Sequence, residues 1–231
     1  MLTLDKLHLQ QGSFELNADW SIAKGVKLAV LGASGAGKST LLSALGGFST
    51  PVSGEVRWDG VRIDNLSPSK RPVTMLFQDH NLFGHLDVAQ NVALGIDPSL
   101  RLSKSQSASV SETLEKVGLG RLGGRKPSEL SGGQQSRVAL ARAIIRDRSI
   151  WLLDEPFSAL GPGLRREMLD LVSEAAQSAG ATVLMVTHDP TDAQRFSNLA
   201  VFVENGVAGP PVPTTELFAR PPSGLRSYLG T

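Results

Sequence analysis

The stretch GASGAGKST, Gly32–Thr40, decides how this chain is read. It fits G-x-x-x-x-G-K-[ST] over Gly32–Ser39 and sits between a short apolar run, KLAVLG (Lys27–Gly32), and a segment with helical spacing, KSTLLSALGG (Lys38–Gly47). Strand, glycine-rich turn and helix in that order make a phosphate cradle. The glycines let successive backbone N–H groups turn inward, the helix N-terminus adds its dipole, and Lys38 supplies a mobile cation. Gly32, Ala33, Ser34, Gly35, Ala36, Gly37, Lys38, Ser39 and Thr40 are therefore the candidate nucleotide-binding residues, with ATP the expected ligand and Ser39 expected to reach Mg²⁺. The plain alternative, a glycine turn with an N-capping Ser or Thr, gives no role to Lys38.

Outward from the cradle, LTLDKLHLQ and FELNADWSI alternate polar and apolar residues around Gln11, Gly12 and Ser13, as an antiparallel hairpin does. GEVRWDGVRI (Gly54–Ile63) alternates about the turn pair Asp59-Gly60, and VTMLFQ (Val73–Gln78) reads as a further short strand. From Asp79 to Glu129 the chain is rich in Ser, Gly and Leu, with one helical stretch at Ser107–Leu119 and no strand, which predicts a helical lobe over roughly 79–135. The main pattern then resumes with a helix at Gly133–Asp147, the strand SIWLLDE (Ser149–Glu155), a helix at Leu164–Ala179 and the strand ATVLMVTH (Ala181–His188). Leu164, Met168, Leu171, Val172 and Ala175 share one face of the long helix, and Gly180 stands where a C-terminal cap belongs. GPPVP and RPP predict an extended surface tail after Val207. The expected architecture is an α/β P-loop NTPase, one domain over 1–231, with a mainly parallel sheet, an N-terminal antiparallel β subdomain and an inserted helical subdomain.

Composition narrows the function. Lys and Arg total 23 against 22 Asp and Glu, a net charge of +1 that offers neither nucleic acid nor an anionic membrane a complementary surface. Cysteine is absent, which removes disulfides, thiolate metal sites and a cysteine nucleophile, and fits a reducing compartment. MLTLDKLHLQQ has no basic-then-apolar signal pattern, and no apolar run approaches the roughly 20 residues that span a bilayer. If the chain serves transport, another chain forms the pore.

Two further motifs carry chemistry. SIWLLDEP puts two acids at the end of an apolar strand, the edge where a parallel sheet presents ligands: Asp154 can act on the Mg²⁺ shell, and Glu155 can orient or deprotonate a water attacking the γ-phosphate. LSGGQ (Leu130–Gln134) is a second glycine-rich loop, in which Ser131 and the N–H groups of Gly132 and Gly133 open a helix. A capping serine followed by a flexible turn explains that helix start, but on sequence alone it leaves the two glycines and Gln134 unexplained.

GASGAGKST, LSGGQ, WLLDEP (Trp151–Pro156) and VTHD (Val186–Asp189) occur in an order and spacing that resembles the ATP-binding subunits of ATP-binding cassette (ABC) transporters, over essentially the whole chain. The resemblance implies a head-to-tail pair of identical subunits, in which Ser131, Gly132, Gly133 and Gln134 address the ATP held by the partner. It also implies that Gln78 senses Mg²⁺ and the γ-phosphate, and that His188 hydrogen-bonds the γ-phosphate. The catalytic set is then Glu155, His188 and Lys38, and the Mg²⁺ set Ser39, Gln78 and Asp154. His8, His80 and His85 remain surface or packing residues. Implied partners are integral membrane permease subunits and, through the complex, a periplasmic solute-binding protein, with the chain peripheral on the cytoplasmic face of a bacterial inner membrane.

The sequence departs from that family twice. The loop after the acidic pair reads SALGPG, with Gly161 where the family has Asp. The family's adenine-stacking aromatic after the first strand is replaced by Gln10 and Gln11, so either Phe14 stacks on adenine or it packs in the core. RPVTMLFQDHNLFGHLDVAQNV (Arg71–Val92) resembles bacterial subunits for thiamine import, with polyamine, iron and anion importers the alternatives. Soluble cassette ATPases usually carry two cassettes or a long coiled-coil insertion, neither of which is present, and a net charge of +1 offers no phosphate-binding surface; a small-molecule kinase would not need LSGGQ.

Overall fold

Apolar residues at every second position, interrupted in β1 by one register shift between Leu4 and Leu7, fold β1 (Leu2–Gln11) and β2 (Phe14–Ile22) into an antiparallel hairpin, with Leu2, Leu4, Leu7, Leu9 and Leu16 facing the core. The computed structural model describes residues 1–229. Strand β3 (Lys27–Leu31) is buried along both faces from Leu28 onward, as a central parallel strand must be, and feeds helix α1 (Lys38–Gly46). The pair β4 (Ser53–Trp58) and β5 (Val61–Arg62) turns at Asp59-Gly60 and adds to the outer edge of β1. Then come β6 (Val73–Leu76) and the helical lobe: α2 (Val88–Ala93), α3 (Lys104–Lys116) and α4 (Gly132–Ile145). The chain returns through β7 (Ile150–Asp154), α5 (Pro162–Ala179), β8 (Thr182–Val186), α6 (Pro190–Phe196) and β9 (Leu199–Glu204). It finishes with β10 (Val207–Ala208), β11 (Val212–Pro213), α7 (Thr214–Ala219) and α8 (Ser223–Leu229).

The strand order is β5-β4-β1-β2-β10-β9-β3-β8-β7-β6, with β11 beside β9. Strands β9, β3, β8, β7 and β6 run parallel, and β5, β4, β1 and β2 antiparallel. The short β10 joins the two halves, parallel to β2 and antiparallel to β9, so the N-terminal hairpin and the parallel core form one sheet. The helical lobe has its own apolar core, built on Val88, Val92, Val110, Leu114 and Val138. Its helices start on Asp87, Ser103 and Ser131, each in a reciprocal capping box with a glutamine three residues on. Such a cap stabilises a helix by about 1 kcal/mol.

One buried cation ties the cradle helix to the sheet. Arg71, 2% exposed, donates to the carbonyls of Ala44 (2.6 Å) and Leu45 (2.9 Å) at the end of α1 and to those of Asp64 (2.7 Å) and Leu66 (3.0 Å). A planar guanidinium is the group able to serve four diverging acceptors at once.

The structure corrects two sequence expectations and adds one strand to them. The tail after Val207 is not simply extended: Pro213 and Pro222 precede short helices, and Leu217 and Leu225 are buried against Ala29, Leu31 and Ala200. Beyond the expected strands, the run LAVFVE before Asn205-Gly206 forms β9, the parallel neighbour of β3. On α5 the fully buried positions are Met168, Leu169, Val172 and Ala176, a stripe shifted from the expected one: Leu164, Leu171 and Ala175 are half-buried, with Leu164 against Gly133 of α4 and Leu171 against the core of the helical lobe.

Candidate active site

The cradle opens at the carboxyl ends of β3, β7 and β8, where parallel strands present their ligand edge. Gly37 is the N-cap of α1 with φ +103, a backbone that side chains rarely adopt, and a Cβ there would lie 2.5 Å from Cζ of Phe14. Phe14 therefore packs on the cradle itself. It also lines the cavity of about 960 Å³ in front of the cradle, together with Gln11, Lys38, Ser39, Glu155 and His188. That volume lies within the roughly 300–1,000 Å³ of small-molecule sites.

Lys38 is 7% exposed, and its Nζ donates to the carbonyl oxygens of Gly32 and Ala33, each at 2.8 Å. Burial pulls its pKa below the usual lysine value, while Glu155 and Asp154 pull the other way. Across from it, Ser39 Oγ donates to Asp154 Oδ1 at 3.1 Å. Burial raises the pKa of Asp154; the Ser39 hydrogen bond opposes this, Glu155 reinforces it and Lys38 opposes it. Hydroxyl and carboxylate oxygens at this point are the donors Mg²⁺ prefers. Among the described residues no group of three or more His, Cys, Asp or Glu side chains could hold a metal unaided.

Glu155 has φ +46, a left-handed conformation unusual for a side-chain-bearing residue. Its N–H bonds to Val186 O at 3.1 Å and its carbonyl accepts from Ser158 Oγ at 3.1 Å, so β8 and the following turn hold it there. Its Oε2 lies 2.9 Å from Nδ1 of His188.

The other candidates lie apart from this cavity. Gln78 is exposed in the turn two residues beyond β6, and it is not among the lining residues. Ser131 and Gly132 are exposed at the start of α4 and likewise do not line it. The local geometry corrects one sequence argument, because two of the three residues that a capping serine left unexplained have intrachain reasons. Gln134 Oε1 accepts the Ser131 N–H at 2.9 Å to close the capping box, and a Cβ on Gly133 would meet Leu164 Cδ2 at 2.4 Å. At Gly132 a Cβ meets nothing within 4 Å, so that position alone has no packing reason.

Gly161 caps α5 with ordinary extended backbone (φ −62, ψ 157) and no side-chain hydrogen bond. His80 is a packing residue with a definite partner: its Nε2 lies 2.9 Å from Ser136 Oγ on α4, while Arg142 of the same helix donates to the carbonyls of His80 (2.7 Å) and Asn81 (2.9 Å). The turn containing Gln78 is thereby pinned to the helix that Ser131 begins. No periodicity in the sequence announces this long-range link, although three arginines in ARAIIRDR were an available hint of buried carbonyl partners.

Comparison with known proteins agrees with this fold. Residues 16–158 match the family model described as ABC transporter. The chain is 55% identical over 230 residues to the Thiamine import ATP-binding protein ThiQ of Cereibacter sphaeroides, with 100% of each chain covered. It is 52% identical to the protein of that name from a Ruegeria species, again with 100% of both chains covered. Among solved structures, the dimeric post-hydrolysis ATP-binding cassette MJ0796 bound to ADP and Pi superposes with a TM-score of 0.79 at 28% identity, covering 93% of this chain and 99% of that one. By fold, motifs and full-length similarity alike, the chain belongs to the ABC transporter family.

Proposed function

We propose that this chain is the ATP-hydrolysing subunit of a bacterial thiamine importer and works as a head-to-tail homodimer. The observation that carries the reading of its chemistry is the Glu155–His188 pair facing the Lys38–Ser39 cradle across one cavity. When bound, Mg²⁺ and ATP supply the electrophilic γ-phosphate and its charge neutralisation. Glu155 takes the proton of the attacking water, His188 contacts the γ-phosphate while oriented by Glu155, and Lys38 exchanges its two carbonyl partners for phosphate oxygens. Ser39 and Asp154, hydrogen-bonded to each other at the cavity, would hold the Mg²⁺ shell together with Gln78, whose turn lies outside the cavity in this structure, and Gly32 to Thr40 would cradle the phosphates. Ser131, Gly132, Gly133 and Gln134 approach the partner's ATP, a role supported by the open face of Gly132 and by the dimeric state of the MJ0796 cassette.

Docking to a permease is supported by a groove of about 490 Å³ whose lining includes Phe48, Met75, Phe77, Leu94, Ile96 and Arg146. Phe48 is 57% exposed there beside half-buried Met75, Phe77, Leu94 and Ile96, so the groove presents contiguous apolar surface to a partner. Phe77 directly precedes Gln78, so one turn carries both a groove residue and the residue proposed to sense Mg²⁺. No helix among the described residues is long and apolar enough to cross a membrane, and a peripheral place on the cytoplasmic face follows from the proposed role. Thiamine as cargo rests on the names of the full-length relatives.

The test is co-purification from mildly detergent-solubilised membranes followed by uptake in vesicles loaded with ATP. A multi-spanning permease and ATP-dependent uptake of labelled thiamine are expected. ATPase stimulation by a polyamine, ferric iron or an anion, with none by thiamine and its binding protein, would overturn the cargo.

A further inference from the structure

We propose that Arg165 is a positioning residue for hydrolysis, a cationic strap tying the turn after Glu155 to the loop that carries His188 and thereby setting the contact between those two side chains. The inference rests on the catalytic reading of Glu155 and His188 above. Arg165 lies in the first turn of α5, where its N–H bonds to Gly161 O at 2.9 Å, and its side chain is 18% exposed. Nη2 donates to the carbonyls of Ser158 (3.1 Å) and Leu160 (3.3 Å); Nη1 donates to Asp189 Oδ2 at 2.9 Å. Asp189 directly follows His188, and its other oxygen caps α6 through Thr191 N–H at 2.8 Å.

The contacts close a ring: Glu155 to Ser158, Ser158 to Arg165, Arg165 to Asp189, then back through His188 to Glu155. Gly161 brings no side chain to this turn, so the guanidinium is what joins its carbonyls to the neighbouring loop. It also offsets charge. Asp192 Oδ2 lies 3.8 Å from Nη1, and burial followed by Asp189 pushes the Asp192 carboxyl up while Arg165 draws it down. Without the cation, two carboxylates face each other beside His188. The pairing of α5 with α6 does not depend on the strap, because Arg195 grips Asp170 through two hydrogen bonds of 3.1 and 2.7 Å.

The test compares Arg165→Ala and Asp189→Asn in the full chain, alone and combined with Glu155→Gln. Asp189→Asn is selective: the cap on Thr191 requires the amide oxygen, which leaves the NH₂ facing the guanidinium as donor against donor. Each single variant is expected to lower kcat by about 10–100-fold with the KM for ATP held within about threefold, and to cause no further loss on top of Glu155→Gln, as groups acting as a unit do. Losses that multiply on the Glu155→Gln background, or a KM that rises in step with the fall in kcat, would overturn the strap. If Arg165→Ala does not fold, Asp189→Asn decides by the same readouts. Wild-type turnover in Glu155→Gln alone is a separate result, which overturns the role of Glu155 and with it the purpose of the strap.

Discussion

Nδ1 of His188 lies 2.9 Å from Oε2 of Glu155, so residues following the neighbouring strands β7 and β8 grip each other at the mouth of the phosphate cradle. A carboxylate only accepts, so Nδ1 carries the proton and donates it. Glu155→Gln removes the base while keeping size and hydrogen-bonding capacity. ATP binding should persist and turnover should fall by about 10²–10⁴-fold. Phosphate release measured beside equilibrium ATP binding checks this, and hydrolysis at the wild-type rate would remove Glu155 from the role.

Asp154 gives a pH-dependent prediction. Burial raises its carboxyl pKa in the folded protein. A raised carboxyl contributes stability that is fully present below the ordinary carboxylate pKa and is lost as pH rises through the folded value. At neutral pH the nucleotide-free protein therefore bears the cost of a buried carboxylate. Asp154→Asn should hold or raise the melting temperature without ligand and should forfeit most of the extra stabilisation given by Mg²⁺ and ATP. In the wild type that extra stabilisation should fade on acidification at a higher pH than an ordinary carboxylate would impose, because protons compete with Mg²⁺. Thermal melts with and without Mg²⁺ and ATP across a pH series read all three effects. A variant stabilised by Mg²⁺ and ATP as strongly as the wild type would contradict the Mg²⁺ role.

Much of this was legible in the sequence, and the pattern of what was not is physical. Runs that alternate or stay apolar gave β1, β2, β3, β7 and β8, because burial on one face or both writes itself into side-chain order. The Lys38–Ser39 cradle and the Asp154–Glu155 pair were legible because each motif confirms itself by the strand before it. Arg71, Arg142 and Arg165 were not: their partners are carbonyl oxygens or single carboxylates distant in the chain, and carbonyls leave no trace in sequence. In the tail Pro210, Pro211 and Pro213 speak for extension, whereas the burial of Leu217 and Leu225 depends on a surface that only the folded sheet provides.

Arg71 makes that hidden class testable. Arg71→Lys replaces a fork of donors by one ammonium that cannot reach Ala44, Leu45, Asp64 and Leu66 together. At least one buried carbonyl then loses its partner, at a cost of about 1–3 kcal/mol. The urea midpoint should fall with the slope of the transition unchanged. A midpoint equal to that of the wild type would mean that the end of α1 is held by packing alone.

Ser131 separates a capping role from a contact in trans. Its Oγ accepts from Gln134 N–H at 3.3 Å, and it is exposed outside the cavity of its own chain. Both Ser131→Ala and Ser131→Arg lose the cap, which costs about 1 kcal/mol. Only the arginine adds bulk and charge to the face that would meet a second subunit's ATP. On a Glu155→Gln background, which slows hydrolysis, size-exclusion chromatography with ATP should give a dimer for Ser131→Ala and a monomer for Ser131→Arg, with similar melting temperatures. Dimers from both would leave LSGGQ as a helix start and nothing more, since Gln134 and Gly133 already have their reasons within the chain; monomers from both would make the cap itself the requirement for pairing.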